Sequence, residues 1–232
     1  MNSRSFSRAG KSSSRPPTGF SLVELLTVIA IIAILLTVGA VGLGGMTGGK
    51  NVNSAVTTAE ALFAQARAEA TGRATRACVL VDINDPSDRV NYLRRMVVAY
   101  EEIDPATNQP VKDKWVVTDR GAVLPDQVYF SKTYSKGGDG QTLEEITLSE
   151  DNVKKQFAGK YLSYKFTSEG ISSAPGSTFV VGFGVRPGTN GEPRVTGSAK
   201  RDFGGFVVWR NGTTSLFRSP DQAGIPSSVT NF

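Results

Sequence analysis

Glu24 is the residue whose placement most needs a chemical reason. It closes Gly19-Phe-Ser-Leu-Val-Glu24 and opens onto Leu25-Leu-Thr-Val-Ile-Ala-Ile-Ile-Ala-Ile-Leu-Leu-Thr-Val38, with no other charge from Leu25 to Met46. At about 1.5 Å per residue, about 20 apolar helical residues span a bilayer core, so the run is a membrane helix by length. An unpaired carboxylate costs at least about 2.5 kcal/mol at the centre of such a run, and one placed at its mouth is then expected to find a partner. The alternative is a carboxylate at headgroup level in an ordinary single-pass anchor. The other position with chemical character is the Gly19–Phe20 peptide bond. It lies on the basic side of the run, and no Ala-x-Ala site follows on the other side.

Other chemistries are poorly supplied. With no histidine, there is no Ser-His-Asp or Cys-His nucleophile, no His-based zinc site and no H-E-x-x-H helix. Neither a Walker loop nor a Rossmann glycine pattern is present, and the acidic residues are scattered. We expect no catalytic residue, no metal, no cofactor and no enzyme activity. Asp139 with Glu144 and Glu145 raises the question of calcium, but the spacing matches no EF-hand loop and reads as a solvated surface.

The residues before Glu24 set its orientation. Met1 to Thr18 carries Arg4, Arg8, Lys11 and Arg15, six serines and no acid, a leader too polar to bury anything. The positive-inside rule keeps it cytoplasmic and places the rest of the chain outside. The net charge is +5, and with the four leader cations removed 22 basic and 21 acidic side chains remain. The basicity is thus a topology signal. Arg94-Arg95, Lys154-Lys155 and Lys200-Arg201 are only pairs, and nucleic acid is not an expected partner.

Gly19-Phe20-Ser21-Leu22-Val23-Glu24-Leu25-Leu26 resembles the cleavage and methylation motif of type IV prepilins and type II secretion pseudopilins. The resemblance implies that a prepilin peptidase cuts after Gly19 and methylates the new amino terminus at Phe20. It also implies that Glu24 pairs with the terminal amine of a neighbouring subunit during assembly. A buried charge matched in this way is tolerable. Other pilin or pseudopilin subunits and the bacterial inner membrane are then the partners. The amino terminus would be cytoplasmic, the carboxy-terminal domain periplasmic, and the protein would join an extracytoplasmic filament.

The positioning elements follow in order. Residues 1–19 read as the cleaved leader and 20–46 as the transmembrane and assembly helix. Residues 47–75 form an amphipathic half of that helix, and 76–232 a β-rich globular domain. Val52, Val56, Ala59, Leu62, Phe63, Ala66 and Ala70 recur at helical spacing on one stripe, with Asn53 or Ser54 as a cap and Gly72 at the end. Six glycines between Gly39 and Gly49 predict a weak or bent junction between the halves. Cys78, the single cysteine, cannot close an internal disulfide and reads as a buried apolar residue. Many major pilins resemble one another in a disulfide-closed loop near the carboxy terminus, and departure from that pattern points to a pseudopilin or a minor pilin.

Strands are expected over 77–83, 90–100, 115–118, 127–130, 161–167 and 178–185. Turns are expected at Asp85-Pro86, Asp104-Pro105 and Asn108-Gln-Pro110. Ser135 to Gly140 reads as a flexible loop tip, Gly188 to Ser198 as a polar loop, and Pro220 to Phe232 as an extended, poorly ordered tail. Asn211-Gly212 between two β-type runs predicts a type I′ hairpin within 205–217. The Ala64–Arg73 segment with the strand at 77–82, and Phe166-Thr-Ser-Glu-Gly170 with the closing hairpin, resemble the H-type (GspH/FimT-like) minor pseudopilins. The predicted fold class is α+β, a long amino-terminal helix packed on an antiparallel β domain in the manner of pilins. The leading reading is a minor subunit of a type II secretion pseudopilus or type IV pilus. The rivals are a FimT-like DNA-binding pilin for DNA uptake and a membrane-anchored periplasmic domain that never assembles.

Overall fold

The computed structural model describes residues 22–188, 191–195, 202–217 and 219–231. The chain falls into two units divided between Leu43 and Gly44. The first element is a helix, α1 (Leu22–Arg73). Its second half carries the expected stripe: Val52, Val56, Ala59, Leu62, Phe63, Ala66 and Ala70 are all buried, joined by Ala55. Burying such a face, more than local propensity, is what stabilises a helix in a protein.

Among the described residues ten strands follow: β1 (Ala77–Asp82), β2 (Arg95–Asp104), β3 (Gln109–Val117), β4 (Ala122–Val123), β5 (Val128–Phe130), β6 (Glu144–Leu148), β7 (Gly159–Phe166), β8 (Ser177–Phe183), β9 (Phe203–Val208) and β10 (Thr214–Leu216). They make two antiparallel sheets. The larger has the order β3-β2-β1-β7-β6 with β4 added to β2, and the smaller the order β10-β9-β8-β5. The α+β class with an amino-terminal helix and antiparallel sheets is therefore observed.

The α1 stripe and the inner faces of both sheets share one core. Phe63 stands at the joint. Its ring lies 4.9 Å from Tyr164 and 6.2 Å from Phe166 in the larger sheet, and 5.7 Å from Phe179 and 4.9 Å from Phe206 in the smaller. A second core on the far face of the larger sheet gathers Cys78, Leu80, Val97, Trp115, Phe157 and Tyr161. Covered on both sides, β1 is buried at every position, which is why it reads as an apolar run up to Asp82. Cys78 is buried and free, as expected.

Several local expectations are corrected. α1 continues through the glycine stretch, so Asn53 and Ser54 lie inside the helix; the Asn53 carbonyl accepts a hydrogen bond from Thr57 Oγ1. The helix ends one residue beyond Gly72, and the left-handed residue is Ala74 at φ 51°. Thr75 N–H donates to the Ala70 carbonyl there, the 6→1 bond of a Schellman ending. Residues 89–94 form turns and not the start of a strand, because the Asp88 carboxylate accepts hydrogen bonds from the Val90 and Asn91 amides. The two turns expected at 104–110 are one: Asp104 carbonyl accepts from Asn108 N–H, and Pro110 already lies in β3. At 210–212 the loop has three residues, closed by Gly212 N–H to Trp209 O and Trp209 N–H to Thr213 O. Gly212 has φ 76° and Asn211 has no positive φ, so the turn is not type I′ but the three-residue kind that ends in a left-handed glycine.

Ser135 is no loop tip: it is buried, and its Oγ donates to the Val180 carbonyl. The described part of the tail is also held, with Ile225 buried and Val195 N–H donating to the Thr230 carbonyl.

Candidate functional site

Gly19 and Phe20 lie outside the described residues. Glu24 falls in the first turn of α1, where negative charge suits the positive end of the helix dipole. Thr27 Oγ1 donates to its carbonyl at 2.9 Å. Around it Leu22, Val23, Leu25, Leu26, Val28, Ile29, Ile31 and Ile32 are all exposed, from 49% to 79%. These residues cover every side of the helix. A helix apolar all round is one whose surroundings are themselves apolar, either packed protein or lipid. Among the residues whose side chains are described, no helix is long and apolar enough to cross a membrane. Most of the span expected at 20–46 falls outside them.

Within the β domain, one of the basic pairs, Arg94-Arg95, is drawn into the fold. Arg94 is buried, and its guanidinium donates to Asp126 at 2.7 Å and to the Leu124 and Arg89 carbonyls. Arg95 pairs with the buried Asp82 at 2.6 Å and also donates to Tyr161 Oη. Arg76 pairs with the buried Glu101, and its guanidinium carbon sits 5.9 Å from the Trp115 ring centroid. Lys154 caps and Lys155 opens a 3-10 turn, both exposed, and Lys200-Arg201 lie outside the described residues. The structure thus removes one of the three basic pairs from any nucleic-acid surface.

The carboxylates considered for calcium do not converge. Glu144 opens β6 and pairs with Lys165 at 2.6 Å, whereas Asp139 sits in a 3-10 turn. Among the described residues no group of three acidic, histidine or cysteine side chains is placed to hold a metal ion. Burial pushes the Cys78 thiol well above its ordinary range, so it is held neutral. Desolvation does the same to the Tyr164 phenol, whose hydroxyl donates to the Thr178 carbonyl.

One feature escaped the sequence reading. Glu60, Ala64, Arg67, Ala68 and Thr71 of α1 line a trough whose other wall is Gly212 to Thr214 of the β9–β10 hairpin. Glu60 and Thr214 are hydrogen-bonded at 2.8 Å across 154 positions of sequence. No local pattern announces such a juxtaposition.

Residues 15–46 match the family model described as the prokaryotic N-terminal methylation motif. The matched stretch includes Gly19, Phe20 and Glu24. No curated protein and no solved structure matches the chain. The motif supports a prepilin-like precursor of pilin or pseudopilin type, and implies handling by a prepilin peptidase and association with other pilin subunits.

Proposed function

We propose that the chain is a prepilin cut between Gly19 and Phe20, N-methylated on Phe20, and built as a minor subunit into a type II secretion pseudopilus or a type IV pilus. The observation that carries this reading is the methylation-motif match over residues 15–46. The eight uncovered apolar side chains between Leu22 and Ile32 support it, since only lipid or other apolar helices would shield them. In the filament, Glu24 meets the methylated amine of a neighbouring subunit, and residues 25–43 form the apolar filament core. The H-type minor pseudopilins remain the finer assignment. They fit a helix that leads directly into β1, a closing hairpin at 210–212 and a lone buried cysteine. The role is mechanical: to start, cap or adapt the filament.

Glu24→Ala tests the assembly half of this account. Membrane insertion is expected to persist while incorporation into filaments, measured in sheared-filament fractions, is lost. Unchanged incorporation would sink the pairing role and leave a plain membrane anchor.

A further inference from the structure

The β10 edge of the smaller sheet is the place where the fold stops short. In its register Thr214 faces Val208 and Leu216 faces Phe206, while Trp209 N–H bonds to Thr213 O and Phe217 N–H to Gly205 O. Alternation then turns the N–H and C=O of Thr214 and Leu216 away from β9, toward the free side of the sheet. Among the described residues these groups have no backbone partner. Phe206, the register mate of Leu216, is fully buried in the core beneath α1, yet Leu216 is 58% exposed. Among the described residues no strand lies on the free side of β10 to cover it.

Beside that position runs the trough between β10 and α1, about 500 Å³ in volume. This lies within the range of ligand clefts, about 300 to 1,000 Å³. Its floor on α1 is small, with Ala64 and Ala68. Toward the hairpin tip it is lined by Arg67, whose side chain packs near Gly170 and Gly212. No hydrogen bond or ion pair engages the Arg67 guanidinium among the described residues. Toward β10 stands Glu60, already holding Thr214 Oγ1. The site therefore offers unpaired strand hydrogen bonds, one apolar surface and one unused cation, with a negative group that rejects acid elsewhere.

We infer that this trough takes an extended segment of another protein chain, added as a fifth strand beside β10. Alternate side chains of a strand share a face. The segment then carries an acidic residue against Arg67, level with Gly212, and an apolar residue four positions away over Leu216. Main-chain bonds to Thr214 and Leu216 supply affinity, and the two side chains supply selectivity, as in other strand additions. Nothing in this site depends on processing at Gly19, so it stands or falls apart from the filament reading.

The test uses the full-length chain in detergent micelles and the capped peptide Thr-Glu-Thr-Thr-Thr-Val-Thr, with Thr-Lys-Thr-Thr-Thr-Val-Thr as its charge-reversed control. At ten times the Kd of the first peptide, hydrogen exchange at the Thr214 and Leu216 amides slows about tenfold. The control peptide leaves exchange unchanged, and Arg67→Glu reverses the preference between the two. Leu216→Pro removes only an outward-facing donor, so it abolishes the protection while the thermal midpoint stays put. The inference is overturned by absence of protection, by equal protection from both peptides, or by protection that survives Leu216→Pro. Protection that appears without peptide as protein concentration rises would also overturn it, in favour of pairing between two copies.

Discussion

Replacing Phe63 by alanine is the sharpest test of how α1 is held. The ring is fully buried and meets four aromatic neighbours, two from each sheet. Truncating a buried phenylalanine costs about 3–5 kcal/mol in transfer and cavity terms. Each aromatic pair adds about 0.5–1.5 kcal/mol beyond area burial, so the upper half of that range applies, about 4 kcal/mol. Against a total stability of about 5–15 kcal/mol this is a large fraction. With a urea slope of about 2 kcal/mol per molar, the midpoint falls by about 2 M. Phe63→Leu keeps most of the volume and loses less than about 2 kcal/mol. The assay is urea unfolding of the full-length chain in detergent, followed by near-ultraviolet circular dichroism, which reports packed aromatic rings. If Phe63→Ala costs less than about 1 kcal/mol, the ring does not join helix and sheets as described, and the shared core is misassigned.

Two further outcomes follow from local geometry and burial. Ala74→Gly relieves a left-handed residue that costs an L-side chain about 1–2 kcal/mol, so it raises stability by about 1 kcal/mol in the same urea assay; a loss would contradict the Schellman ending. Folded Cys78 holds its proton while the unfolded chain releases it above about pH 8.5. Stability therefore declines as pH rises past that value, and a Cys78→Ala variant shows a flatter profile. Native protein is also expected to resist iodoacetamide at pH 8 until urea unfolds it. Labelling at the rate of a free thiol would show Cys78 to be accessible.

How far the sequence could be read depends on where the information lies. The α1 stripe is legible because one buried face repeats at the period of the helix, and every residue of it, from Val52 to Ala70, is covered. β1 is legible because burial on both faces leaves only apolar side chains until Asp82. The boundaries that failed were decided by single side chains or distant partners. Asp88 turns a Val-Asn-Tyr run away from strand, and Ala74, not Gly72, takes the left-handed turn. β6 is hidden because its two leading glutamates face outward and only Ile146 and Leu148 are buried. The tail looked unstructured in composition, yet Ile225 finds a buried place that no local pattern encodes. At the amino terminus the opposite holds. The sequence Gly19 to Glu24 is the whole of the chemical signal, and the trough at Glu60, Arg67 and Thr214 exists only once the chain has folded.

The central claim is that the Gly19–Phe20 bond is read and cut. Intact-mass and amino-terminal analysis of the protein recovered from its native membrane tests it directly. The account predicts a chain that begins at N-methylated Phe20. A chain that still begins at Met1, or one cut beyond the apolar run, would contradict it and leave an anchor or a released domain in place of a filament subunit.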